Sequence, residues 1–111
     1  MLALAHRFHG HNSIRPLYQK GRPIYSRNLK LLWQPTDGSY RVAIVISKKV
    51  HKSAVVRNRI RRRIYALVAA HFAAGNQGAD IVFLVQNASL AELPAEKVRE
   101  EVDSLLKKIG S

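Results

Sequence analysis

The stretch SAVVRNRIRRRIYALVAAHFAA, residues 53–74, decides how this chain folds and what it meets. Ser53 is a candidate N-cap, Gly75-Asn76 a stop, and neither Pro nor Gly falls between, so the longest helix is predicted here. At about 100° per residue, Val56, Ile60, Ile64, Leu67, Val68 and His71 form one stripe that packs on a sheet. Arg57, Asn58, Arg59, Arg61, Arg62 and Arg63 take up most of the remaining circumference. Like charges at i,i+4, here 57/61 and 59/63, each destabilise an isolated helix by about 0.2–0.5 kcal/mol. No Asp or Glu occurs between Asp37 and Asp80 to offset them, so a polyanionic partner explains the face better than solvation alone. Arginine in place of lysine suits forked contacts to phosphate and stacking on bases.

The flanks supply a sheet. Tyr40–Ser47 is β-branched and nearly continuous in apolar character, which predicts a central strand covered on both faces. Upstream, Ile24–Trp33 reads as one or two extended segments broken at residues 26–28, and Asp37-Gly38 as a hairpin turn. A short helix is predicted over Asn12–Lys20, with Pro16 in its first turn and Gly21 as its stop. Downstream, Asp80–Val85 is a second buried strand, and Leu93-Pro94 opens a final helix to about Lys108. The order αβββαβα predicts an α+β, two-layer sandwich with about four strands.

A chain of 111 residues supports one core, so a single domain over 1–111 is expected, with 1–11 as an N-terminal arm. Nineteen Lys and Arg against seven Asp and Glu give +12, which makes nucleic acid the first partner to consider. The charge is divided: residues 1–79 hold fifteen bases and one acid, +14, whereas residues 80–111 hold four bases and six acids, −2. The absence of Cys removes disulfides, thiolate metal sites and thiol nucleophiles. Only five apolar residues precede His6, shorter than a signal-peptide core, and a soluble cytoplasmic protein without a membrane partner is expected.

Ser47-Lys48-Lys49-Val50, followed by Val55-Val56-Arg57-Asn58-Arg59-Ile60-Arg61-Arg62, closely resembles the motif of the bacterial ribonuclease P protein component, whose core is an Arg-Asn-Arg on a long helix. The resemblance runs over about residues 7 to 109, through Tyr18-Gln-Lys-Gly21, the strand before the motif, Gly78-Ala-Asp80-Ile-Val-Phe and the closing helix. It implies the same αβββαβα sandwich with a left-handed βαβ crossover, against the general right-handed rule. It also implies pairing with a catalytic RNA that removes the 5′ leader of precursor tRNA. The Mg²⁺ would be held by the RNA–substrate complex, with no catalytic, metal or small-molecule cofactor site on the protein. Lys48, Lys49, Arg57, Asn58, Arg59, Arg61 and Arg62 match the positions that contact the RNA subunit. Lys52 and Arg63 extend that set by charge.

The family's leader cleft implies aromatic stacking platforms, and Tyr18 fits one. Ile14 and Leu32 stand where aromatics occur in relatives, and His51 replaces a small residue. Tyr25 and Trp33 lie beside those positions and could line the cleft or the core. His6, His9 and His11 read as part of the arm and His71 as a core histidine, while Glu96/Glu100 read as surface ion pairing. The rival functions are a noncatalytic ribosomal or structural RNA-binding protein and, third, a DNA-binding helical module.

Overall fold

In the computed structural model, the described residues are 11–36, 40–73 and 78–109, with side chains from residue 16 onward. The chain runs α1 (His11–Lys20), β1 (Arg22–Tyr25), β2 (Leu29–Pro35), β3 (Arg41–Val45), α2 (Ala54–Ala73), β4 (Ala79–Val85), a 3-10 turn (Ala88–Ala91) and α3 (Ala95–Lys107). This is the predicted order with one added turn. Of the predicted N-terminal arm, only His11 falls within the described backbone, where it opens α1.

One four-stranded sheet has the order β1-β2-β4-β3. β1 and β4 both run antiparallel to β2, and β3 runs parallel to β4 through α2. Two expectations are corrected here. The predicted turn residues Asp37-Gly38 lie outside the described residues, but the strands on either side of them, β2 and β3, do not pair because β4 lies between them. β3 is an edge strand rather than the centre; β4 is the strand buried on both faces, at all its positions except half-buried Leu84.

The register sorts the side chains. Leu29, Leu31, Trp33, Val42, Ile44, Ile81, Phe83 and Val85 face the main core, where Ile60, Ile64, Val68 and Phe72 of α2 meet Val98, Val102, Leu105 and Leu106 of α3. Buried positions four apart on α2 make a stripe centred one step beyond the predicted one, with Phe72 in it and Leu67 and His71 at its margin. The opposite face carries a smaller cluster of Leu17, Leu32 and Val82 beneath α1.

α1 is ten residues long, too short to be stable alone, so its position depends on packing. Among the described residues, Leu17 is its buried side chain, and burying a leucine contributes about 1.5–3 kcal/mol. At Gly21 the chain turns back so tightly that a Cβ would lie 2.4 Å from the Leu17 carbonyl oxygen, which only glycine avoids. α1 lies over β2 and β4, so this face stays partly open towards β3, where Ala43 and Val45 are half-buried, as is Leu84 near the end of β4. Among the described residues, no helix is long and apolar enough to cross a membrane.

Candidate nucleic-acid interface

The basic surface begins where β3 ends. Residues 47–53 form a tight turn, with Val50 N–H donating to the Ser47 carbonyl at 3.0 Å and Ser53 N–H donating to His51 Nδ1 at 3.0 Å. Ser53 then caps α2, its hydroxyl accepting from Val56 N–H at 3.4 Å and its carbonyl from Arg57 N–H at 3.1 Å. Arg57 Nη1 reaches back to the carbonyls of His51 and Lys52, at 2.8 and 2.9 Å, and so fixes the turn against the helix. Lys48, Lys49 and Lys52 are thereby left exposed at the head of a helix on which Asn58, Arg59 and Arg62 are also exposed.

The arginines and asparagine of that helix do not behave alike. Arg61 Nη1 donates to Asn58 Oδ1 at 3.0 Å, one turn away, which lays its guanidinium along the helix. Arg63 is directed elsewhere: its Nη1 donates to the Leu90 carbonyl at 3.0 Å and the Leu93 carbonyl at 2.6 Å, tying the link between β4 and α3 to α2. Its position within the arginine run predicts an RNA contact, and its Nη1 also joins α2 to the segment before α3.

On the other face, the leader-cleft candidates separate by strand parity. Tyr25, Lys30, Leu84 and Val45 stand in one cross-strand row, and Leu32, Val82 and Ala43 in the next. Tyr25 is 63% exposed, with Lys30 Nζ 5.3 Å from its ring centroid, and Tyr18 on α1 is 45% exposed. Leu32 is buried beneath α1. Trp33, one residue on, points into the main core, with the Arg22 guanidinium 5.2 Å from its ring. The Leu29-Lys30-Leu31-Leu32-Trp33-Gln34 alternation carries that parity in the sequence. The side chain of Ile14 lies outside the described residues.

Two acids are engaged in the fold, Asp80 and Glu101. Asp80 accepts a bidentate pair from Arg41, Nε–Oδ1 2.9 Å and Nη2–Oδ2 2.8 Å, joining β3 to β4 and raising the guanidinium's pKa through that hydrogen bond. Glu101 accepts from the Ser26 hydroxyl and from both Asn28 N–H and Asn28 Nδ2, at 2.5, 2.8 and 2.7 Å. Glu100 lies 3.7 Å from Lys97 on the exposed side of α3, the surface pairing expected. Among the described residues, no three His, Cys, Asp or Glu come together to hold a metal ion.

Sequence reasoning misses the buried Asn28 and its partner Glu101. Asn28 Oδ1 also accepts from Asn87 Nδ2 at 2.6 Å and Ser89 Oγ at 3.0 Å, so one amide joins the β1–β2 turn, the 3-10 turn and α3.

Known proteins share this fold. The fold superposes on the RNase P protein of Staphylococcus aureus with a TM-score of 0.81 at 20% identity, covering 95% of each chain. It superposes on that of Thermotoga maritima with a TM-score of 0.76 at 23% identity, covering 86% of this chain and 90% of that one. In sequence, the chain is 32% identical to the ribonuclease P protein component of Synechococcus sp. strain WH7803, over 99% of this chain and 97% of the relative. It is 30% identical to that of Symbiobacterium thermophilum, over 96% and 92%. The family model for Ribonuclease P matches residues 2–110, and the chain belongs to the ribonuclease P protein family.

Proposed function

We propose that this chain is the protein subunit of ribonuclease P, binding the catalytic RNA and the 5′ leader of precursor tRNA so that the RNA removes the leader. The observation that carries this reading is the continuity of two surfaces. Along the chain, half-buried Ala43 and Val45 of β3 lead into exposed Ser47-Lys48-Lys49, at the head of the helix that carries Asn58, Arg59, Arg61 and Arg62. A single strand crossing the open sheet face therefore meets phosphate-binding groups without leaving the protein.

Roles divide among the residues. Lys48, Lys49, Lys52, Arg59, Arg61 and Arg62 contact RNA phosphates, Asn58 supplies amide hydrogen bonds, and Arg57 shapes the turn that presents the lysines. Tyr18 and Tyr25 serve as stacking platforms for leader bases, which is worth about 1–3 kcal/mol per base. Any Mg²⁺ used in the phosphodiester hydrolysis would be held by RNA and substrate phosphates and would supply the activated water, while Asp80 and Glu101 hold Arg41 and Asn28 in the fold. The protein works as one folded unit in the cytoplasm and positions the substrate.

Arg59→Ala tests the RNA contacts. Its affinity for a bacterial ribonuclease P RNA, measured over a salt series, is expected to fall, with a log–log slope shallower by about 0.7–0.9 for each phosphate that the variant no longer neutralises. Unchanged affinity and slope, with an intact circular dichroism spectrum, would remove Arg59 from the interface.

A further inference from the structure

A hollow of about 420 Å³ lies along α2, and among the described residues Asn58, Arg61, Arg62, Tyr65, Ala66 and Ala69 line it. They recur at the three- and four-residue spacing that makes one helical strip, beside and distinct from the buried 60/64/68/72 stripe. The two alanines carry nothing beyond Cβ, so the helix is recessed there, and half-buried Tyr65, which also packs against the main core, lines the recess. The Arg61 guanidinium, held along the helix by Asn58, and exposed Arg62 stand at its head. An aromatic wall, an apolar floor and two guanidinium groups combine features that suit an unstacked nucleobase together with its phosphate. They suit a purely apolar ligand poorly.

We propose that this hollow takes a single unpaired nucleotide of the RNA subunit, its base against Tyr65 over Ala66 and Ala69 and its phosphate on Arg61 and Arg62. The proposal rests on the RNA-binding reading above and adds to it a base-sized receptor on α2. The arginines account for affinity that depends on salt, and the Tyr65 stack accounts for affinity that does not.

The test measures binding of the full chain to a Synechococcus ribonuclease P RNA transcript across a salt series, for wild type, Tyr65→Ala, Tyr65→Phe, Ala69→Leu and Arg61→Ala. Tyr65→Ala is expected to weaken binding about tenfold with the salt slope unchanged, and Tyr65→Phe to keep it, since the ring and not the hydroxyl does the stacking. Ala69→Leu fills the hollow while keeping the ring, and is expected to weaken binding with the slope again unchanged. Arg61→Ala is expected to weaken binding and flatten the slope. Wild-type affinity for Tyr65→Ala and Ala69→Leu, with Arg61→Ala still impaired, would overturn the base receptor and leave the RNA-binding surface intact. Wild-type behaviour of all four variants would instead remove the RNA surface from this side of α2. Circular dichroism on each variant separates impaired binding from impaired folding, and if Tyr65→Ala unfolds, Ala69→Leu decides.

Discussion

Arg63 donates to the Leu93 carbonyl at 2.6 Å, thirty residues away in sequence and just before the first turn of α3. The same nitrogen also reaches the Leu90 carbonyl. A guanidinium in the middle of an arginine run thus acts as a brace between the long helix and the C-terminal third of the chain. Arg63→Ala is expected to lower unfolding free energy by about 1–2 kcal/mol in a denaturant titration, because two carbonyls lose a charged donor. The salt slope of RNA binding should stay at its wild-type value. A shallower slope with unchanged stability would return Arg63 to the RNA surface.

Asn28 and Glu101 form a second brace, across 73 residues. Glu101→Ala strips the Asn28 amide nitrogen, the Asn28 N–H and the Ser26 hydroxyl of their acceptor and should cost about 2–3 kcal/mol. Asn28→Ala leaves Glu101 the Ser26 hydroxyl and the backbone N–H of residue 28 but frees Asn87 and Ser89, and should cost about 1–3 kcal/mol. In a double-mutant cycle the pair should cost markedly less than the two single losses together. Additive losses would mean that the two residues act independently.

The two sides of the sheet make opposite predictions for an aromatic residue of α1 and one of β2. Tyr18→Ala is expected to weaken precursor tRNA binding by the reconstituted enzyme about fivefold or more while sparing mature tRNA, which has no leader. Trp33→Phe, altered within the main core, should leave both affinities unchanged and lower only stability. Equal losses on precursor and mature tRNA for Tyr18→Ala would take Tyr18 out of the leader path.

His71 packs edge-on against Phe72, ring centroids 5.0 Å apart, and burial lowers its pKa from 6.5 despite the opposing pull of Asp103. The unfolded chain therefore binds the proton more readily than the folded one, so stability is complete above about pH 6.5 and declines as pH falls below it. A thermal-melt series should show this decline, and His71→Gln should flatten it. An identical pH dependence in His71→Gln would assign the decline to other groups.

The sequence makes the element order legible because each helix carries its own punctuation: Ser53 before α2, Gly21 after α1, Pro94 before α3. It does not reveal which apolar strand lies at the centre. Val42–Ile46 and Ile81–Val85 are equally apolar, and only the limited reach of α1 leaves Ala43 and Val45 half-covered while Val82 is buried. The turn chemistry of Asp37-Gly38 likewise suggests a local pairing that the parallel β3–β4 ladder overrides. In the candidate interface, the Lys and Arg positions are legible as charge, but the partners of Arg57 and Arg63 are not, because backbone carbonyls leave no trace in side-chain pattern. Asn28 and Glu101 are hidden for the same reason: each looks like a surface residue until the turns around it close.

The central claim, that this protein serves a catalytic RNA, is tested most directly by cleavage of a precursor tRNA at low Mg²⁺. The comparison is protein alone, a bacterial ribonuclease P RNA alone, and the two mixed. Removal of the 5′ leader is expected to be strong only in the mixture. Cleavage by the protein alone, or no stimulation of the RNA by the protein, would contradict the claim.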